Sequence, residues 1–328
     1  MKNILLTGGL GYIGSHIAVE ILKNIEYNVI IIDNLSNSSL DKLSKIQILS
    51  NRKVLFYQYD MMNIELIEKV FYENNIGAVI HLAGLKSVGE SCIDPHKYYN
   101  ININITLNLL EIMNRYQVYN FIFSSSATVY GSLDSPFVET MQTGIDITNP
   151  YGRTKYIIEE ILKDYYKSNS KWKIVLLRYF NPIGSHNSGL LEENPNGIPN
   201  NLFPYILKVH KKELEQLSIF GNDYNTPDGT CLRDYIHVLD LAIGHIKALD
   251  YVLLNQINKV EIFNLGTGKP HSVIEIIDAF EKVNNTIINK KIVERRKGDI
   301  ETSYANSDRA NKILNWNCIY DINNMVKI

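Results

Sequence analysis

Only three cysteines occur in the 328 residues, Cys92, Cys231 and Cys318, and they lie far apart. There is no CxxC pair and no cluster of cysteine with histidine. Neither a disulfide framework nor a zinc site is expected, and the thiols read as free in a reducing compartment. Charge of one sign is scarce as well: 33 lysines and arginines stand against 35 acids, a net of -2. Nucleic-acid binders usually show a basic excess or a basic face, so that class is set aside. No apolar run approaches the roughly 18–20 residues of a membrane span. The first strand-like run follows directly on Met1-Lys2-Asn3, with no apolar leader segment before it. These absences lead us to expect a cytoplasmic protein with neither membrane nor nucleic-acid partners.

What is present is an alternation. Ile4-Leu5-Leu6, Val29-Ile30-Ile31-Ile32, Val54-Leu55-Phe56, Ala78-Val79-Ile80, Phe121-Ile122-Phe123 and Ile174-Val175-Leu176-Leu177 are short apolar runs. Such runs suit strands buried on both faces of a parallel sheet. Between them, helical spacing appears over 13–22 and around 63–74, 95–115 and 152–167. Repeated βα units predict an α/β fold with a doubly wound parallel sheet of the Rossmann type. After Asn181 the texture changes to loop, with Pro182, Pro195 and Pro199 among Asn and Gly, and then to mixed short elements. The expected organisation is a dinucleotide-binding domain over 1–180 and a smaller mixed α/β substrate domain over 181–328. Some segments of the second are expected to pack back on the first.

Thr7-Gly8-Gly9-Leu10-Gly11-Tyr12-Ile13-Gly14 holds GxGxxG at Gly9, Gly11 and Gly14, between the first strand and the first helix. Glycines there permit a tight turn and let the backbone approach a pyrophosphate, which the helix N-terminus then receives. Asp33 ends the second strand 19 residues after Gly14, where a carboxylate accepts from ribose hydroxyls. Asn34-Leu35-Ser36 follows with no arginine for a 2′-phosphate, so NAD is expected rather than NADP.

Tyr151-Gly152-Arg153-Thr154-Lys155 is the one YxxxK in the chain. Residues four apart share a helix face. A free tyrosine ionises near pH 10, too high for a base at neutral pH. A neighbouring ammonium and a cationic nicotinamide ring would both favour its phenolate. Ser124-Ser125-Ser126 closes the 121–123 strand at its carboxyl end, where ligands bind in open α/β sheets. A serine hydroxyl there can bond a substrate oxygen.

These residues resemble the extended short-chain dehydrogenase/reductase family, and within it the UDP-galactose 4-epimerases. The likeness runs from Thr7 to about Trp316. It is carried by HLAGLKSVGES (81–91), FSSSATVYG (123–131), NPYGRTK (149–155), LRYFNPIG (177–184), GIPNNLFPYI (197–206), IFGNDYNTPDGTCLRDYIHV (219–238) and NLGTG (264–268). It implies that Tyr151 is the catalytic acid and base, that Lys155 holds the nicotinamide ribose and tunes Tyr151, and that Ser126 bonds the sugar 4-oxygen. It implies an NAD site lined by Gly8, Gly11, Tyr12, Ile13, Gly14, Asp33, Asn34, Asn37, Asp60, Met61, Leu82, Ala83, Gly84, Lys86, Asn102 and Phe180. The UDP-hexose would meet Asn181, Asn201, Leu202, Ser218, Phe220, Arg233, Arg296, Asp299 and Ser303. Two arginines suit a diphosphate.

The chain departs from the family in places. Met61 stands where a branched aliphatic residue is usual, and Ile101 replaces an asparagine beside Asn102. The chain ends at Ile328, short of the family's last helical segment. Ser303 occupies a variable position that borders the carbon-2 substituent of the sugar. A tyrosine there fills the space an acetamido group needs. Serine leaves it open, so UDP-N-acetylhexosamines are expected as additional substrates. The resemblance also implies a homodimer through the helices near 95–115 and 152–167, although the apolar stripe Ile157, Ile158, Ile161, Leu162 would also serve to cover the sheet.

The competing readings start from the same fold. Nucleotide-sugar dehydratases carry an Asp-Glu pair just after the position of Ser126, and the related decarboxylases keep a Glu. This chain has Ala127-Thr128. A catalytically silent NAD-sensing protein would be expected to lose the Tyr or the Lys, and both are present.

Overall fold

Within each apolar run, successive side chains leave the sheet on opposite faces, and this alternation divides the core in two. The computed structural model describes residues 1–328 except Asn196, Asn255, Gln256, Asn258 and Lys297; none of the candidate site residues is among these five. Six parallel strands come first: β1 (Lys2–Thr7), β2 (Tyr27–Ile32), β3 (Leu55–Tyr57), β4 (Ile76–His81), β5 (Asn120–Ser126) and β6 (Lys173–Tyr179). Six helices connect or flank them: α1 (Tyr12–Leu22), α2 (Asp41–Ser50), α3 (Ile64–Glu73), α4 (Val88–Ile93), α5 (Pro95–Arg115) and α6 (Pro150–Ser168). Ile4, Leu6, Val29, Ile31, Ala78 and Ile80 pack on one face with Ile17 and Ile21 of α1. Leu5, Ile30, Ile32, Val79, Phe121 and Phe123 pack on the other with α3, α5 and α6. Both faces are covered, so the runs are apolar throughout and not alternating polar and apolar.

After Tyr179 the chain builds β7 (Asn181–Ile183), α7 (Leu202–His210), β8 (Leu217–Phe220), β9 (Leu232–His237), α8 (Val238–Leu254) and β10 (Glu261–Leu265). It continues through β11 (Pro270–Ser272), α9 (Val273–Val283), β12 (Lys290–Val293), β13 (Thr302–Ser303), α10 (Asp308–Leu314) and α11 (Ile322–Met325). Phe203, Ile206, Ile219, Tyr235, Ile276 and Phe280 form a separate core among α7, β8, β9 and α9. β10 instead pairs with β6 in parallel and becomes the seventh strand of the large sheet. Ala242, Ala248, Leu249 and Val252 of α8 join the cluster that holds α1.

The sheet order is β10-β6-β5-β4-β1-β2-β3. The chain winds outward from β1 to β3, returns to β4 and winds the other way. The order therefore reverses between β1 and β4. At such a switch point the two outgoing loops diverge and leave a crevice at the carboxyl ends of the strands. Thr7 and His81 are paired there.

Candidate active site

The crevice floor is glycine because nothing larger fits. Gly8 has φ +68°, a left-handed conformation, and a Cβ on it would lie 2.9 Å from the Ala83 backbone. A Cβ on Gly14 would lie 2.5 Å from the Gly8 carbonyl. The loop is thus pressed against the loop after β4, and α1 starts directly from it. Gly11 caps α1 with no side-chain hydrogen bond, and no acid stands in the first turn. The helix end is left with amide donors and positive dipole for an anion.

Asp33 closes the far side. Its carboxylate accepts from the Leu10 amide at 3.0 Å, the Leu35 amide at 2.9 Å and the Ser38 hydroxyl at 2.8 Å. It fixes the glycine loop and stands at the end of β2, as a ribose partner must. Asn34 donates to Asp60 at 3.1 Å, and Met61 is buried in the adjoining core. Ile13 is half-buried at the start of α1 and Asn37 is exposed on the loop before α2. Asn102, on α5, accepts from the Leu85 amide at 2.8 Å and donates to the Leu85 carbonyl at 3.1 Å. It clamps the Leu82-Ala83-Gly84 loop, so its part is to position the backbone. Tyr12 is turned away: its hydroxyl donates to the Gly184 carbonyl at 2.6 Å. Phe180, buried at the end of β6, packs by Phe137 with ring centroids 6.2 Å apart. This donor set and cradle fit NAD.

Beside the crevice stand the three residues picked out for chemistry. α6 begins at Asn149, whose side chain accepts from the Gly152 amide at 2.8 Å, with Pro150 in the first turn. That cap and proline set where the helix starts, and so where Tyr151 and Lys155 point. The Lys155 ammonium is buried, donates to the Ser124 carbonyl at 2.8 Å and lies 5.9 Å from the centre of the Tyr151 ring. Burial draws it down to about 8. Burial pushes the Tyr151 hydroxyl up, and only a hydrogen bond from Ser126 opposes this. The chain alone therefore keeps Tyr151 protonated, and the phenolate expected from the sequence needs added positive charge. Ser126 ends β5, and its Oγ accepts from the Thr128 hydroxyl at 2.9 Å and the Thr128 amide at 3.2 Å. Where a dehydratase would need carboxylates, this chain places the Ala127 methyl and the Thr128 hydroxyl in a 3-10 turn.

The substrate candidates fall into two groups. Arg296 makes a fork to Asp299 at 2.8 and 3.1 Å, Arg233 reaches the same carboxylate at 3.9 Å, and Arg296 stacks 5.6 Å from the Phe220 ring. Ser303 pairs with Arg233 across β13 and β9, and Ser218 lies two residues before Phe220 on β8. Thr148 donates to the Gly298 carbonyl at 3.2 Å, which ties this cluster to the approach to Tyr151. In the other group, Asn201 precedes Leu202 at the start of α7 and donates to Glu193 at 3.3 Å. Lys86 donates to the same oxygen at 2.8 Å. Asn181 is exposed at the start of β7.

Sequence reasoning passed over several residues that build this site. Glu159 sits on α6 and is fully buried; it accepts from Ser125 on β5 and from Arg178 on β6 at 2.7 and 3.0 Å. This locks the helix that carries Tyr151 to the strand that carries Ser126. Buried Asp234 gathers the amides of Thr267, Gly268 and Ala305. Glu193 bridges Lys86 and Asn201. An acid inside an otherwise apolar helix stripe, as at Glu159, was the one local signal available.

Comparison with known proteins identifies the family. The model of the NAD dependent epimerase/dehydratase family matches residues 4–266. A UDP-glucose 4-epimerase of Pasteurella multocida is 50% identical over 325 residues, 99% of this chain and 95% of its own. One of Bacillus subtilis is 50% identical over 314 residues, 95% of this chain and 91% of its own. The crystal structure of UDP-glucose 4-epimerase from Bifidobacterium longum in complex with NAD+ and UDP superposes with a TM-score of 0.94 at 47% identity, covering 99% of this chain and 96% of that one.

Proposed function

The chain belongs to the NAD dependent epimerase/dehydratase family, among the extended short-chain dehydrogenases/reductases, and we propose that it interconverts UDP-galactose and UDP-glucose at sugar carbon 4. Bound NAD supplies the acceptor and donor for the carbon-4 hydride and is restored in each turnover. Tyr151 takes the proton of the 4-hydroxyl and later returns it. Its hydroxyl is held up by burial, so it becomes a base only with the site filled and positive charge beside it. The Lys155 ammonium is placed to add to that charge and to hold the ribose. Ser126 bonds the sugar 4-oxygen. Arg233 and Arg296 hold the diphosphate while the 4-keto hexose turns over about its bond to phosphate, presenting the opposite face. A diphosphate anchored by two guanidinium forks permits that rotation without release. The observation that carries the reading is Ser126, Tyr151 and Lys155 meeting at the carboxyl edge of the sheet, next to a crevice only glycine can line.

The test is direct. Purified protein converts UDP-galactose to UDP-glucose without added reductant, read by chromatography. Tyr151→Phe keeps the ring and removes the ionisable oxygen. Turnover should fall at least about a hundredfold with NAD still bound. Near-normal turnover removes Tyr151 from its role.

Three finer points belong to the same proposal. UDP-N-acetylhexosamines are substrates too, because buried Ser303 beside Arg233 is small. The protein is a homodimer. Ile158 and Leu162 are spent within the chain, but Ile157 and Ile161 of α6 and Ile101, Ile103 and Leu107 of α5 stay half-exposed, forming an apolar face that a second copy would cover. Light scattering at micromolar concentration should return about twice the chain mass; a clean monomer removes the dimer. The location is the cytoplasm, in keeping with three free thiols. Among the described residues no helix is long and apolar enough to cross a membrane.

A further inference from the structure

The wall of the dinucleotide groove contains a cation that the chemistry above leaves unused. Lys42, in the first turn of α2, has 9% of its surface exposed. Among the described residues its ammonium has neither a hydrogen bond nor an ion pair; the charges nearest it are those of Lys86, Glu193, Asp33 and Lys45, all beyond pairing distance. His16 of α1 also feels its charge. The stem is covered but the ammonium is not shut away from solvent, and a cation held in place without a protein partner is free to take an anion.

Lys42 lines a cavity of about 140 Å³ with Ser38, Ser39, Lys45, Leu190 and Asn194, about ten times the roughly 10–15 Å³ that admits one water. The cavity also touches two carboxylates, but both are already neutralised: Asp41 by Lys45 at 2.6 Å and Glu192 by Lys211 at 2.8 Å. The charge left uncompensated at the wall is positive. Ser38 also fixes the position, because the hydroxyl that lines the cavity donates to Asp33 at 2.8 Å, the residue set to meet the adenosine ribose. The cavity therefore lies beside the residue set to meet the adenosine ribose. Its cation comes from a helix ten residues long, not from the loop after β2, which holds no arginine.

We infer that Lys42 is a binding residue for a phosphate group of the dinucleotide at its adenosine end. The inference rests on the reading of the crevice as a dinucleotide site. Two sources of phosphate share this chemistry: the diphosphate of NAD, and a phosphate on the ribose 2′-oxygen, as in NADP. In the second case the protein would accept NADP although Asp33 and the missing arginine point to NAD.

Lys42→Met separates these, because it keeps the stem and removes the charge. The variant should melt no lower than wild type when both are freed of dinucleotide; a loss of stability there would mark Lys42 as structural and overturn the inference. The measurements are the NAD bound per chain in the purified holoenzyme, its rate of loss on dilution at low and high salt, and its exchange against labelled NADP. If Lys42 meets the diphosphate, the variant loses NAD at least about tenfold faster and Lys42→Arg recovers much of the difference. If it meets a 2′-phosphate, NAD retention is unchanged and the NADP exchange seen in wild type disappears in the variant. Equal retention of NAD and equal exchange of NADP in both proteins overturns the inference while leaving the dinucleotide site standing. A wild type that holds no dinucleotide overturns the site itself, and this inference with it.

Discussion

Ser303 shows how much one side chain can decide. Its place is set by two pairings, Ser303 with Arg233 and Ala305 with Phe137. The backbone of Tyr304 is engaged as well: its amide donates to Ser135 at 3.1 Å and its carbonyl accepts from the Phe137 amide at 2.9 Å. Neighbours in an extended segment face opposite ways, so Tyr304 cannot take the place of Ser303 without breaking all of these. A small side chain beside Arg233 excludes nothing, and an open pocket rarely rejects a smaller sugar. Wild type is therefore expected to turn over both UDP-hexoses and their N-acetyl forms. Ser303→Tyr should keep the first pair within a few-fold and lose the second by roughly a hundredfold, the scale on which pocket sterics act. Failure of wild type to convert UDP-N-acetylglucosamine, with UDP-galactose converted well, would reject the open pocket.

At the scale of the element, α6 carries the chemistry and is anchored by a buried ion pair. Glu159 and Arg178 are 0% and 1% exposed, and the Arg178 guanidinium also lies 4.8 Å from the Tyr130 ring. Replacing Glu159 by Ala strands a buried guanidinium and leaves Ser125 without its acceptor. Loss of about 3–5 kcal/mol is expected, read as a lower urea midpoint, with turnover reduced as Tyr151 drifts from Ser126. A midpoint within experimental scatter of wild type would show that the pair does not anchor the helix. The sequence made α6 legible because Asn149-Pro150 marks its start and an apolar stripe follows, and α5 by its helical spacing. It also made β1, β2 and the glycine loop legible, because their partners are near in the chain. It did not disclose α2, whose buried positions are only Lys42 and Ile46. Nor did it place β10 as the seventh strand, since pairing with β6 is a contact between segments more than eighty residues apart. Glu159–Arg178, Asp234 and Glu193 escaped for the same reason: their partners are distant in the chain.

Across the whole molecule, buried imidazoles link its parts and set its tolerance of acid. His81 of β4 lies between the Thr7 hydroxyl at 2.7 Å and the Thr106 hydroxyl at 3.0 Å. His16 of α1 bonds the Tyr12 carbonyl, His245 of α8 bonds Tyr179 of β6, and His237 of β9 stacks on Tyr320 with centroids 4.1 Å apart. Burial pulls His16 and His81 down to about 3, and His237 and His245 down to about 4. Unfolded, each returns to about 6.5. Below that pH the unfolded chain takes up four protons that the folded chain refuses until near pH 4. The state that binds more protons gains as pH falls, so stability drops with acid, by roughly 1.4 kcal/mol per pH unit for each histidine once titration is complete. Asp240 opposes them. Burial raises its carboxyl to about 6, so between there and its unfolded value near 3.9 the folded chain holds one proton the unfolded chain does not. Among these five groups three net protons remain; buried Asp234 and Glu139, whose carboxyls are also pushed up, reduce that number, and His186, pushed down, adds to it. Over one to two pH units this is on the order of the whole stability of a domain, about 5–15 kcal/mol. The protein should therefore be nearly indifferent to pH between about 7 and 8, lose stability with increasing slope below 6.5, and unfold between about pH 6 and 4. Urea midpoints at pH 7.5, 6.5 and 5.5 check this, and a midpoint that stays level across that range would mean that these histidines titrate in the folded protein as they do in the unfolded chain.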